Sequence, residues 1–256
     1  MTALLEARGL IKRFGGLRAV GGEEGLSFAV GAGELVGLIG PNGAGKSTTF
    51  NLISGALAPD AGQVLFRGED ITGARPESVA GRGIARTYQT PRAFESLSVL
   101  DNVVLGADSA GERLRHAFSS GWRAEEERAR AYAVEQLARV GLSDRLHQRV
   151  SDLSGGELRM LEVARQLVRD PKLLLLDEPT AGVDPALQEA LAGILVELRR
   201  GGMTLLVVEH NLRFLLRLAD TVLVLTDGEL LARGSPAEIQ SDARVVRAYL
   251  GDEHAA

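Results

Sequence analysis

Three short, mostly apolar runs punctuate the chain: Leu35 to Ile39, Leu173 to Leu176, and Thr204 to Val208. Runs of this length without polar alternation suit parallel strands that are covered on both faces. Each run then changes character. The first leads into Gly40–Thr48, the second into Asp177-Glu178 and the third into Glu209-His210. In open α/β sheets, ligands sit beyond the carboxyl ends of the strands. The pattern therefore predicts that three distant segments deliver polar groups to one sheet edge.

Helical periodicity fills the gaps. A helix is predicted from Lys46 to about Ser54. Another is predicted from Leu158, with Leu161, Ala164, Leu167 and Val168 on one face and Pro171 as its stop. Leu212, Leu215, Leu216 and Ala219 mark a third. Val222–Leu225 and Glu229–Ala232, joined by Thr226-Asp227-Gly228, read as a hairpin. An antiparallel β element is expected near the start, from Leu4 to Leu10 and Leu26 to Val30. Between about Pro91 and Leu153 no strand is predicted after Val104. Ala129, Ala133, Leu137 and Val140 instead fall at helical spacing up to Gly141. This stretch reads as a helical subdomain inserted into an α/β core.

The candidate chemistry begins at Gly40-Pro41-Asn42-Gly43-Ala44-Gly45-Lys46-Ser47-Thr48, which fits the phosphate-loop pattern G-x-x-x-x-G-K-[ST]. It lies between a predicted strand and a predicted helix, the context the pattern requires. Its glycines allow backbone N–H groups to turn toward phosphate oxygens, and the helix start adds its positive dipole end. Lys46 is placed to reach the terminal phosphates, and Ser47 to put its hydroxyl on Mg2+. After the second strand, Asp177 and Glu178 form an acidic pair of the kind a magnesium triphosphate requires. One carboxylate serves the metal and the other activates water. Ser154-Gly155-Gly156-Glu157, before the helix from Leu158, reads as an N-cap or as a second anion-binding surface.

Composition narrows the picture only slightly. The 256 residues, 45% hydrophobic and 25% charged, suit one large α/β domain or a domain with a subdomain. A net charge of −5 lacks the basic footprint of a nucleic-acid partner. The absence of cysteine excludes disulfides and thiolate chemistry. No apolar run reaches the roughly 18–20 residues needed to span a bilayer, and the start of the chain lacks the pattern of a secretory signal. Any membrane connection is expected to come through a partner.

Taken in order, these motifs resemble the ATP-binding subunits of ABC transporters, over about Leu5 to Leu250. The resemblance implies an α/β P-loop NTPase core, RecA-like with a mainly parallel sheet, carrying the N-terminal antiparallel β element and the inserted helical subdomain. The implied division is 1–91 and 164–256 for the nucleotide-binding core, and 92–163 for the helical part with the signature motif. It further implies that Phe14 stacks on adenine and that Gln89 touches Mg2+ and the attacking water. Asp177 would hold the metal and Glu178 would be the general base. His210 would contact the terminal phosphate, and Asp184 would meet a second ATPase subunit. Ser154, Gly155, Gly156 and Glu157 would face the nucleotide of that second subunit, so the site would be completed in trans by a homo- or heterodimer. The implied cofactors are ATP and Mg2+. The implied partners are transmembrane permease subunits and, indirectly, a substrate-binding protein, with the chain peripheral at the cytoplasmic face of the cell membrane.

Two departures from the family pattern stand out. Glu157 replaces the usual Gln, and Val20–Leu26 is about three residues longer than the usual connection. Within the family, Arg13–Val20, Gly83–Gln89, Val207–Asn211 and Tyr249–Gly251 are similar to the longer ATPase of branched-chain amino acid importers. Urea or amide importers, lipopolysaccharide exporters and soluble non-transport ABC ATPases are the alternative readings.

Overall fold

The computed structural model describes residues 3–88, 93–107 and 122–250. In chain order the elements are β1 (Ala3–Phe14), β2 (Leu17–Val20), β3 (Leu26–Gly31), β4 (Leu35–Ile39), α1 (Lys46–Ile53), β5 (Ala61–Phe66), β6 (Glu69–Asp70), α2 (Pro76–Gly81) and β7 (Ile84–Arg86). Then come α3 (Val99–Ala107), α4 (Trp122–Arg139), α5 (Gly155–Leu167), β8 (Leu173–Asp177), α6 (Pro185–Arg200), β9 (Thr204–Val208), α7 (Leu212–Leu218), β10 (Thr221–Thr226), β11 (Glu229–Gly234), α8 (Pro236–Ser241) and α9 (Ala243–Leu250). The chain divides into two compact units. One comprises Met1–Arg86, Lys172–Pro179 and Leu195–Ala256; the other comprises Thr87–Pro171 and Thr180–Ile194.

The first unit holds two sheets. One is six-stranded in the order β11-β10-β4-β9-β8-β7, parallel throughout except for the antiparallel β11. The other is antiparallel, in the order β2-β1-β5-β6 with β3 also paired to β1. This is the α/β architecture with an antiparallel N-terminal element that the pattern of apolar runs predicts. The three central strands β4, β8 and β9 are buried at every position, as strands covered on both faces must be. Alternate residues Val36, Leu38, Leu173, Leu175, Leu206, Val208, Leu223 and Leu225 join one apolar cluster with Leu5, Leu26, Phe28 and Phe66 of the antiparallel sheet. The period of two in each strand sends this set to one face.

Gly37 interrupts β4 for a packing reason. A methyl at its Cβ position would lie 2.6 Å from Cδ2 and 2.9 Å from Cγ of Leu215, so α7 rests directly on the bare backbone. The extra residues of Val20–Leu26 form a tight surface turn. Gly25 N–H donates to Gly22 O, and Gly21 N–H donates to Gly228 O. Glu23 and Glu24 point to solvent, and Phe14 stays at the end of β1, paired with Leu17.

In the second unit α3, α4 and α5 pack on one another. Ala133, Leu137 and Val140 are buried there at the helical spacing read from the sequence. Helix α5 starts at Gly155 rather than Leu158, because the Ser154 side chain caps it three residues earlier. It also runs unbroken past the expected boundary at 163/164, up to Leu167. Asn102, fully buried, ties the loop ahead of α3: its Oδ1 accepts from Phe94 N–H, and its Nδ2 donates to the carbonyls of Phe94 and Ser98.

Gly37→Ala is expected to lower stability by about 1–3 kcal/mol through overpacking against Leu215. Gly37→Ala combined with Leu215→Ala should recover part of that loss. Urea unfolding of the three proteins checks both expectations.

Candidate functional site

The loop after β4 is shaped by glycines that no other residue could replace without strain. Gly40 has φ +152° and Gly45 has φ +93°. A Cβ at Gly40 would lie 2.2 Å from Leu225 O, and one at Gly45 would lie 2.5 Å from Ala19 O. Gly45 is also the N-cap of α1, and no side chain caps that helix start. Its first turn carries no acidic residue either. Ala44 and Lys46 are buried, Gly45 and Thr48 half-buried, and Asn42, Gly43 and Ser47 exposed. Pro41 N has no proton to give; its carbonyl accepts from Ala44 N–H at 3.2 Å. The Lys46 Nζ donates to Gly40 O at 2.7 Å and to Pro41 O at 2.8 Å, so the lysine clasps its own loop. Burial pulls the Lys46 ammonium below its usual range, against the opposing pull of Glu178 and Asp177.

That electrostatic coupling reflects the parallel sheet. Asp177 is the last residue of β8, beside the end of β9. Glu178 follows in the left-handed region at φ +47°, with its N–H donating to Val208 O at 2.9 Å. Such a conformation costs a non-glycine residue about 1–2 kcal/mol. The Glu178 Oε1 lies 2.7 Å from His210 Nε2. His210 is placed by its neighbour. The buried Glu209 carboxylate accepts from the backbone N–H groups of both His210 and Asn211, at 3.1 and 3.2 Å. Asn211 in turn caps α7 through Phe214 N–H. One edge of one sheet thus gathers the loop, Asp177, Glu178 and His210. Phe14 lies in the same unit, 48% exposed, with Lys12 Nζ 5.8 Å from its ring centroid.

The second unit carries the other expected residues. Ser154 and Gly155 are exposed and Gly156 is buried, where a Cβ would strike Cδ1 of Leu187 at 2.1 Å. Glu157 closes a capping box. Its Oε2 accepts from Ser154 N–H at 2.9 Å and from Ser154 Oγ–H at 2.8 Å, while Glu157 N–H donates to Ser154 Oγ at 3.3 Å. Arg145 Nε donates to Glu157 Oε1 at 3.1 Å. Asp184 caps α6, its Oδ1 accepting from the N–H groups of Ala186 and Leu187. Gln89 lies outside the described residues.

Residues 24–181 match the ABC transporter family model, and residues 229–255 match that of the branched-chain amino acid ATP-binding cassette transporter. The chain belongs to the ABC transporter ATP-binding family. It is accordingly an ATP-binding cassette and an ATPase. Among similar proteins is a probable branched-chain amino acid transport ATP-binding protein LivG of Archaeoglobus fulgidus. It is 38% identical over 248 residues, covering 97% of this chain and 95% of the relative. The high-affinity LivG protein of Escherichia coli is 35% identical, covering 97% and 98%. A crystal structure of an ABC transporter cassette in its ADP conformation superposes with a TM-score of 0.85 at 34% identity, covering 98% of this chain and 100% of that one. A nucleotide-free cassette gives 0.84 at 34% identity, covering 97% and 99%.

Several residues of this cassette's site escape a reading of its motifs. Glu209 sets His210, yet looks like an ordinary strand-end acid. Tyr249 of α9 comes near the backbone of Gly40, and burial pushes its hydroxyl up to about 12. Arg86 bonds Asp177 across the sheet at 3.0 Å. The last two pairings join positions far apart in the chain, and no local spacing announces them.

Glu157 offers a pH test. Its carboxyl is held below its ordinary 4.5, first by Ser154 N–H, with Arg145 helping and burial opposing. A folded value below the unfolded one gives stabilisation that is present above the unfolded value and lost as pH falls through the folded one. Glu157→Gln is therefore expected to lose about 0.3–1 kcal/mol at pH 7, and to show a smaller further loss between pH 5 and pH 3 than the parent. Thermal unfolding followed by circular dichroism checks this.

Proposed function

We propose that this cassette is the ATP-hydrolysing subunit of an importer for branched-chain amino acids. In this reading it binds ATP with Mg2+ between its phosphate loop and the Ser154–Glu157 corner of a second cassette. The observation that carries the reading is the uncapped start of α1. Its amide donors, with no carboxylate in the first turn, stand at the same sheet edge as Asp177 and the Glu178–His210 pair. An anion is the natural partner for such a helix start. Lys46 has three N–H donors, of which two hold the carbonyls of Gly40 and Pro41. The third is available to a phosphate oxygen.

The residues present fit a magnesium ion. Ser47 and Asp177 offer hard oxygen donors. Among the described residues, no three His, Cys, Asp or Glu side chains gather to hold a metal unaided. That suits a cation that binds through one or two protein oxygens, phosphate and water. When bound, the ion would neutralise charge on the transferring phosphoryl group.

Glu178 would orient a water and take its proton as the water oxygen attacks the terminal phosphorus, while the bond from that phosphorus to the bridging oxygen breaks and ADP leaves with inorganic phosphate as the other product. His210, aligned by Glu209, donates toward the terminal phosphate once nucleotide separates it from Glu178. Gln89 completes the set as the contact to metal and water, and Phe14 offers an aromatic face to the base. Gly155 and Gly156 present backbone to the partner's nucleotide, with Ser154 and Glu157 fixing the turn, and Asp184 holds the start of α6 at the subunit contact. Two cassettes, identical or cousins, then close on ATP and open after hydrolysis.

No helix among the described residues is long and apolar enough to cross a membrane. The work reaches the membrane through permease subunits on its cytoplasmic face, fed by a substrate-binding protein. The names of the relatives and the family model over residues 229–255 support the cargo assignment.

Glu178→Gln is expected to keep ATP affinity, lose ~100-fold or more in turnover, and elute as a dimer with ATP and Mg2+; undiminished turnover removes Glu178 as the base. Lys46→Ala is expected to weaken ATP binding by ~10- to 100-fold, measured by equilibrium dialysis, and equal affinity goes against the loop. The cargo is tested in proteoliposomes carrying the membrane proteins that co-purify with the chain. ATP-driven uptake of leucine, isoleucine or valine supports it, whereas uptake of urea alone refutes it.

A further inference from the structure

Arg86 ends β7, and its guanidinium joins three elements of the first unit. Nη1 donates to Asn51 Oδ1 at 2.7 Å and to Ser54 Oγ at 2.9 Å. Nη2 donates to Asp177 Oδ2 at 3.0 Å. The guanidinium carbon lies 5.7 Å from the ring centroid of Phe50. Both ends of the ion pair are sheltered, with side chains 12% and 10% exposed. A planar fork is suited to this task, since it can hold two partners on one side and a carboxylate on the other in fixed geometry.

The anchors matter as much as the carboxylate. Asn51 is in the last turn of α1 and Ser54 is its C-cap. The helix has no basic residue of its own in that turn, so Arg86 supplies the cation that complements the negative end of the helix. The same helix carries Ser47 in its first turn. Ser47 and Asp177, two of the oxygen donors proposed for the metal, are thus linked through one helix and one guanidinium.

We propose that Arg86 is a positioning residue for Asp177: a fork anchored on Asn51 and Ser54 fixes the carboxylate relative to Ser47 and thereby sets the affinity of the site for its divalent cation. The inference rests on the reading of Asp177 as the metal-facing carboxylate. Groups that orient a metal ligand from behind typically control affinity by about 10- to 100-fold. Lysine cannot reproduce the fork, because its single ammonium cannot span Asn51, Ser54 and Asp177 in the same plane.

The test uses the full chain, a non-hydrolysable ATP analogue and Mn2+ in place of Mg2+, with bound Mn2+ read by electron paramagnetic resonance. Arg86→Lys is expected to raise the Mn2+ dissociation constant about tenfold, while analogue affinity in EDTA stays within about twofold of the parent. Asn51→Ala keeps the charge and removes one anchor, and should shift the constant in the same direction by less. An unchanged Mn2+ constant in both folded variants, with only the melting temperature lowered, overturns the proposal and leaves Arg86 a structural ion pair. Asp177→Asn separates the two readings. If it abolishes Mn2+ binding while the Arg86 and Asn51 variants do not move it, Arg86 alone is misassigned. If it too leaves the constant unchanged, the metal reading of Asp177 falls and this inference with it.

Discussion

Parallel strands all finish at the same edge of their sheet. That constraint arranges everything else in the first unit. β4, β8 and β9 lie side by side in the order β4-β9-β8, so the segments that leave them are gathered without any further device. The phosphate loop, Asp177 with Glu178, and Glu209 with His210 are neighbours because their strands are. The burial that makes the strands uniformly apolar also makes the edge rigid. A slip of one residue would invert every side chain between the two faces.

Helix starts in this chain are treated in two ways. α5 and α8 are closed by capping boxes, in which serine and glutamate satisfy the first amide donors reciprocally. α1 begins at a left-handed glycine with nothing of the kind. The contrast lies in one chain and so reflects local sequence rather than environment in general. Gly45 cannot reach back with a side chain, and the first turn offers no acid. Glu178 shows a related concession: its left-handed backbone is unfavourable in itself, yet its Oε1 lies 2.7 Å from His210 Nε2. Local strain of this sort is tolerated where the surrounding structure over-determines the conformation.

Much of this was legible in the residues. Leu35–Ile39 and Thr204–Val208 have the bounds that their apolar runs suggest, and the hairpin around Asp227-Gly228 agrees with its turn chemistry. The less visible parts share a cause. β7 has three residues and β6 two, too short for any periodicity to register. α5 begins before its first apolar residue because a cap, not a hydrophobic face, defines its start. Arg86 needs residues 51, 54 and 177 folded around it before it has a meaning. Asp184, read as a subunit contact by resemblance, also has a plain local task as the cap of α6.

The clasp of Lys46 on Gly40 and Pro41 has a kinetic side. A cradle already held in shape by its own ammonium has no loop to order when a triphosphate arrives. The entropy of that ordering belongs to the folding of the chain, not to the encounter. In the proposed reading the other end of the nucleotide would meet only the half-exposed phenyl face of Phe14, which has no hydrogen-bonding group with which to read a base edge.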